Sequence, residues 1–192
     1  MIHPDTELRF VNEKIGLGVF ATKFIPKGTI VWVLDDLDMI LDEDYVDSLE
    51  PLRRDIVYKY AYQNEKGEYV LCWDHGRYIN HSFNPNCIGT AYELELAARD
   101  IHPGEELTSD YGILGDEEPF VCVPEEGTSR TIVMPDDYLH YYRLWDEMAA
   151  EAFKYFNQVD QPLKHLIPRK FRKKVHAVAA GLRPLDSILT TF

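Results

Sequence analysis

The sequence predicts a mainly β fold with peripheral helices and a C-terminal helical extension. Three observations carry this. The first 112 residues are dominated by apolar runs of four to six residues, separated by breakers rich in Asn, Pro and Gly. One segment within them, residues 42–60, breaks this pattern. From Pro135 onward, apolar residues recur at helical spacing.

The expected strands, in order, are "LRFV" (8–11), "LGVFA" (17–21), "TIVWVL" (29–34), "YVLCW" (69–73), "CIGTAY" (87–92) and "LELAA" (94–98). The breakers between them are "NEKIG", "IPKG", "NEKGE", "NPN" and "HPGEE". "FIPKGTIV" (24–31) and "DIHPGEEL" (100–107) echo one another as tight turns feeding strands. Gly28 and Gly104 supply the permissive backbone. In the interrupting segment Asp42 can cap a short helix, Pro51 interrupts it, and "LRRDIVYKYAY" continues as helix or strand. Residues of about 41–68 therefore read as an insertion between two β portions. "GILGDEEPFVCVPEEGTSRTIVMP" (112–135) reads as loop. Tyr138, Leu139, Tyr142, Trp145, Met148, Ala149, Ala152, Phe153 and Phe156 then form a helical stripe suited to core packing, with Asp136 or Asp137 at its start. "PRKFRKKVHAVAAGL" reads as a last helix, opened by Pro168 and closed near Gly181. On it Phe171, Val175, Val178 and Ala179 share one face.

A chain of 192 residues with 45% hydrophobic and 28% charged content is long enough for a real core and shows no sign of disorder. Its net charge of −13 disfavours nucleic acid and favours basic partners. The cations are unevenly placed. Residues 164–183 hold seven Lys and Arg and no carboxylate, which leaves 13 basic against 33 acidic groups elsewhere. That stretch either neutralises the acidic body or touches nucleic acid. Cys72, Cys87 and Cys122 are odd in number and far apart, so a disulfide framework is not expected, and an intracellular, reducing compartment is. No histidine has a partner at ligand spacing, and no metal is expected. "MIHPDTELRF" lacks the apolar run of a signal peptide, and no stretch approaches a membrane span. Nothing indicates the oligomeric state.

Three stretches carry chemistry. "KIGLGVFATKFIPKG" (14–28) puts Gly16 and Gly18 around Leu17 before a strand, so that a ligand could lie against the backbone. No third glycine or helix follows, which excludes a dinucleotide fingerprint. "GRYINHSFNPNC" (76–87) concentrates hydrogen-bonding side chains around a proline, as a plain turn or a shaped site would. "HPGEELTSDYG" (102–112) ends in Asp110, Tyr111 and Gly112.

In this order the three strongly resemble the SET-domain protein lysine methyltransferases, over about residues 8–112. The resemblance implies a SET fold of short sheets with a pseudoknot, in which one motif segment threads a loop closed by the other. It implies a SET domain at 1–112, a post-SET-like loop at 113–135 and the helical extension at 136–192. The cofactor it implies is S-adenosylmethionine. Gly16, Leu17 and Gly18 would place backbone against its methionine portion. Asn80 would hydrogen-bond that same end, and the His81 backbone would meet the adenine edge. Phe120 matches a residue of the family's tail that also joins the cofactor site. Tyr111 matches the catalytic tyrosine. Asp110 and Glu106 read as structural, and Arg77 as an internal salt-bridge residue.

The implied substrate is a lysine of a basic protein such as a histone, a histone-like protein or a ribosomal protein. Ser109, Tyr60 and Trp32 are the expected channel residues. Ser109 stands where relatives often carry Phe or Tyr, and with Gly89 it leaves room for more than one methyl. Two features depart from the family. Leu34 stands where many members have a second tyrosine, leaving Tyr58, Tyr60 or Tyr62 to replace it. "FVCVPEEGTSR" (120–130) keeps Phe120, Cys122 and Arg130, but Pro124 and Ser129 replace zinc-binding cysteines. These departures would suit a non-catalytic SET-fold module that binds basic tails. Tyr111, Asn80, His81 and the glycine turn together favour the enzyme.

Overall fold

The computed structural model describes residues 1–114 and 118–192. The chain opens with a hairpin of β1 (Thr6–Asn12) and β2 (Gly16–Ala21). Asn12 makes its turn: Oδ1 accepts the N–H groups of Lys14 and Ile15, both at 2.9 Å. Gly28 holds φ at 87° and Gly104 at 83°, as the tight turns require. A side chain at Gly28 would also collide with the Ala152 carbonyl. The chain then enters β3 (Ile30–Val33), buried at every residue.

The insertion folds as β4 (Met39–Leu41), α1 (Glu43–Ser48) and α2 (Pro51–Tyr60), followed by β5 (Ala61–Gln63) and β6 (Tyr69–Leu71). Asp42 caps α1 through Asp44 N–H at 3.0 Å. Pro51 separates the helices and starts α2, where a missing N–H costs nothing. The run left open between helix and strand is thus both, with the change at Ala61.

Next come β7 (Asn80–His81), β8 (Cys87–Gly89), β9 (Leu94–Ala97) and β10 (Glu106–Ser109). β8 stops three residues short of the predicted strand, because Thr90 folds the chain back. Its N–H and hydroxyl both donate to the Leu94 carbonyl, at 3.1 and 2.8 Å, and Glu93 takes a positive φ of 57°. Part of the expected loop is a small hairpin of β11 (Phe120–Val121) and β12 (Ile132–Val133), paired backbone to backbone. Residues 115–117 of that expected loop lie outside the described residues. The chain ends in α3 (Asp137–Phe153), α4 (Arg172–Ala179) and short single-turn helices.

The strands form three small sheets beside that hairpin, in the orders β1-β2-β10-β7, β3-β9-β8 and β4-β6-β5. Most pairs are antiparallel. β7 and β10 are parallel, so the 80–87 and 106–112 segments run side by side, the contact the implied threading needs. Asn86 locks them: its Nδ2 donates to the Glu106 carbonyl at 2.7 Å, and its Oδ1 accepts Thr108 N–H at 2.9 Å.

One core joins β3, β8 and β9 to the helical extension through Ile30, Leu94, Leu96, Trp145, Phe153 and Val175. Burying each aliphatic side chain there contributes roughly 1.5–3 kcal/mol. The stripe of α3 behaves as predicted over Trp145, Ala149, Ala152 and Phe153, but Leu139 faces solvent. α4 is shorter than predicted. The N–H groups of Phe171 and Arg172 bond back to Pro168, and Gly181 ends the unit at φ 69°.

The cations of 164–183 mostly have partners. Lys170 pairs with Glu93 at 2.5 Å, Lys174 with Asp186 at 2.9 Å, and Arg183 with Asp186. Arg172 donates to the Ile167 carbonyl. Among the described residues, Arg169 and Lys173 make no ion pair. No helix of the described residues is long and apolar enough to cross a membrane.

Candidate active site

The glycine turn is built against β7. A Cβ on Gly18 would overlap Glu106 Oε1 and lie 2.9 Å from Asn80 Nδ2, so only glycine lets these groups meet there. Asn80 Nδ2 donates to the Leu17 carbonyl at 3.0 Å and to Glu106 Oε1 at 2.7 Å. Glu106 is structural here, as expected.

His81 and Tyr111 come next in space. The Tyr111 N–H donates to His81 Nδ1 at 3.1 Å, which puts the ring proton on Nε2. Burial lowers the His81 pKa and favours this neutral form, although the Asp110 carboxylate 3.9 Å away opposes the shift. Nε2 has no hydrogen-bond partner among the described residues. Its ring lies among Phe83, Tyr111 and Phe120, with centroids 4.2, 5.4 and 6.4 Å away. The Tyr111 hydroxyl donates to the Ile79 carbonyl at 2.7 Å.

Asp110 fixes the turn that carries Tyr111. It is 3% exposed and accepts Gly112 N–H at 3.0 Å and Trp145 Nε1–H at 3.3 Å. Arg130 reaches it at 2.5 Å and reaches Asp137 at 2.6 Å. The guanidinium lies 4.2 Å from the Phe83 ring centre and 4.0 Å from that of Tyr141. Burial opposes the charge of Arg130, but the bonds and charges of Asp110 and Asp137 outweigh it and raise the pKa. Glu125 adds a tie by accepting Phe83 N–H at 2.8 Å. The loop that lacks the cysteines is therefore held by an ion cluster.

Beside this cluster opens a cavity of about 750 Å³. Trp32, Tyr60 and Ser109, the expected channel residues, all line it, with Tyr111 and Phe120. Gly16, Leu17, Gly18, Asn80 and His81 are not among its lining residues. Tyr111 thus belongs to both halves of the site: its backbone holds His81, and its side chain faces the cavity. Leu34 is partly buried against the core and does not line the cavity. Tyr58, Tyr60 and Tyr62 all do. Tyr62 meets Trp32 edge-on at 6.1 Å, and burial raises its pKa well above normal, keeping the hydroxyl protonated. The salt bridge expected of Arg77 is not found among the described residues. Its Nη1 donates to the Cys72 carbonyl at 3.4 Å instead.

Sequence reasoning missed two parts of the wall. Glu95 lines the cavity and accepts the Ser109 hydroxyl at 2.9 Å. Its signal was a lone carboxylate within the apolar run "LELAA". Ile188 and Phe192 also line it, and no local pattern marks their approach.

Comparison with known proteins places the chain in a family. The family model of the SET domain matches residues 16–112. N-lysine methyltransferase KMT5A-A of Danio rerio is 35% identical over 123 residues, covering 55% of this chain and 34% of that protein. A histone-lysine N-methyltransferase of Schizosaccharomyces pombe, H3 lysine-36 specific, is 31% identical, covering 54% of this chain and 14% of its own length. A second from that yeast, H3 lysine-4 specific, is 31% identical, covering 59% and 14%. The chain thus spans about a third or less of the length of these relatives.

Proposed function

Because this chain belongs to the SET domain family, we propose that it is a protein lysine N-methyltransferase that uses S-adenosylmethionine and acts on a basic protein. The observation that carries the reading is the position of Tyr111. It is bonded to His81 of the "NHS" motif on one side and faces an aromatic cavity on the other.

The residues fit the cofactor. The space a Cβ would fill at Gly18 is bounded by Asn80 and Glu106, so polar groups converge on bare backbone. The Gly16–Gly18 backbone and Asn80, positioned by Glu106, would hold the amino-acid end. His81 and Phe120 would border the adenine. When bound, the cofactor supplies an electrophilic methyl on a sulfonium.

The chain's own residues must prepare the nucleophile. A lysine has a pKa of about 10.4 in water and arrives charged. Trp32, Tyr60, Tyr62 and Phe120 desolvate it and favour the neutral amine. The Tyr111 hydroxyl donates its hydrogen bond to the Ile79 carbonyl, so its oxygen acts as an acceptor toward the amine or the polarised methyl. Aiming the lone pair in this way supplies several kcal/mol. Ser109 is small and leaves space for an already methylated amine, so products beyond monomethyl-lysine form part of the proposal; the side-chain direction of Gly89 is taken by Ile113.

The proposed substrate is a Lys-rich protein such as a histone, a histone-like protein or a ribosomal protein. Glu65, Glu93 and Glu118 line the cavity, and the chain carries −13 overall. Three free buried thiols fit the reducing compartment proposed for it. A nucleic-acid contact through residues 164–183 is the lesser proposal, resting on Arg169 and Lys173. Labelled methyl transfer to a panel of basic proteins, with mass spectrometry of the modified residue, tests the main reading.

A further inference from the structure

Glu95 is out of place in an apolar strand. Its neighbours Leu94 and Leu96 are buried in the core, at 1% and 0% exposure. Strand alternation turns Glu95 to the opposite face, which is the cavity wall. It sits across from Trp32 on β3 and Gly89 on β8. Among the described residues, its carboxylate accepts one hydrogen bond, from Ser109, two residues before Tyr111. Among the described residues no cation lies within ion-pair distance of it. A carboxylate so enclosed is costly unless a positive group comes to it.

We infer that Glu95 receives the ε-ammonium of the substrate lysine inside the cavity and takes its proton before methyl transfer. The inference rests on the methyltransferase reading. The proton leaves the lysine nitrogen as its N–H bond breaks and an O–H bond forms on Glu95. The pair left on nitrogen is the nucleophile that Tyr111 aims. The proton returns to solvent when the product leaves.

The surroundings support the transfer. Burial raises the Glu95 pKa to about 7, opposed only by the Ser109 bond, so the carboxylate titrates where a base at neutral pH is most useful. Tyr62 from β5 and Cys87 from β8 interact electrostatically with it, and the indole of Trp32 from β3, Cys72 after β6, Arg77 from the 75–78 turn and Glu93 before β9 line the same cavity. Tyr62 and Cys87 have raised pKa values and are neutral. Passing the proton leaves a neutral acid beside a neutral amine, which avoids a poorly solvated ion pair at the cavity wall.

The test compares the wild type with Glu95→Gln and Glu95→Asp, using labelled S-adenosylmethionine and mixed core histones across pH 6 to 9.5. Glutamine keeps an acceptor for Ser109, so the fold and cofactor affinity are expected to hold. The wild-type rate rises with an inflection near the Glu95 pKa of about 7. Glu95→Gln should be slower by about tenfold or more at neutral pH, and should recover as pH rises and the amine arrives neutral. Glu95→Asp should keep the inflection at a lower rate. A Gln variant matching the wild type at every pH overturns the inference. So does a uniform loss at all pH values with a lowered melting temperature, which would assign Glu95 to packing. A wild type that transfers no methyl sinks the methyltransferase reading and this inference with it, whereas an active wild type with an indifferent Gln variant sinks only the latter.

Discussion

The backbone N–H of Tyr111 donates to Nδ1 of His81 at 3.1 Å, so the "NHS" and "DYG" motifs are one unit. The bond fixes the His81 tautomer, while the Tyr111 hydroxyl is held separately by the Ile79 carbonyl. Removing the hydroxyl alone leaves this bond in place. Tyr111→Phe should therefore bind S-adenosylmethionine normally and turn over at least about tenfold slower. Calorimetric titration with single-turnover methyl transfer checks both halves, and unchanged turnover would remove Tyr111 from the mechanism.

Gly18 is constrained by space. An added methyl would meet the Asn80 and Glu106 side chains. Gly18→Ala should weaken S-adenosylmethionine binding by about tenfold or more, because Asn80 must leave its place. Titration by tryptophan fluorescence measures this, and full affinity in a folded variant would place the cofactor elsewhere.

Arg130 pairs two carboxylates that are 2% and 7% exposed at the side chain. Arg130→Ala leaves both without a counterion and should cost about 3–5 kcal/mol in denaturant unfolding. A loss under about 1 kcal/mol would show that the cluster does not hold the loop. EDTA should leave the wild-type melting temperature unchanged, and a drop would reveal a metal in this role.

Glu95 also makes stability depend on pH. Its folded pKa of about 7 lies above the ordinary glutamate value of 4.5, so between these values the folded state binds more protons than the unfolded chain. Its contribution is fully present below pH 4.5 and lost as pH rises through 7. Glu95→Gln should remove that loss and gain on the order of 2 kcal/mol at pH 8 relative to pH 5. Parallel melting curves at the two pH values check the sign, and an equal effect at both would mean the carboxyl titrates normally.

In the basic stretch, Lys170, Lys174 and Arg183 hold carboxylates of their own chain. Replacing Arg169 and Lys173 with Gln should leave the melting temperature unchanged. If the stretch touches DNA, activity on histones within nucleosomes should fall while activity on free histones holds, and the salt dependence should weaken. Equal activity on both confines the stretch to a structural role.

The sequence revealed this fold where each segment had its own local cause. Asn12 turns a hairpin, Asp42 caps a helix, and Trp145, Ala149 and Phe153 form a stripe that any core would bury. It also held the site motifs, because Gly18, Asn80, His81 and Tyr111 lie in short, distinctive runs. What stayed hidden depends on distant pairing. Thr90 ends β8 by bonding Leu94, β11 and β12 pair across ten residues of loop, and Arg130 bridges Asp110 to Asp137. The replacement for the tyrosine absent at Leu34 was open for the same reason. Only the folded insertion brings Tyr58, Tyr60 and Tyr62 to the cavity.

The central claim is that this site moves a methyl group onto lysine. Its most direct test incubates the purified protein with methyl-labelled S-adenosylmethionine and mixed core histones, then locates the label by mass spectrometry. The account predicts label on lysine Nε, at least about tenfold less with Tyr111→Phe. Cofactor bound at Gly18 and Asn80 with no label on any lysine would contradict it, and would make the chain a non-catalytic module for basic tails.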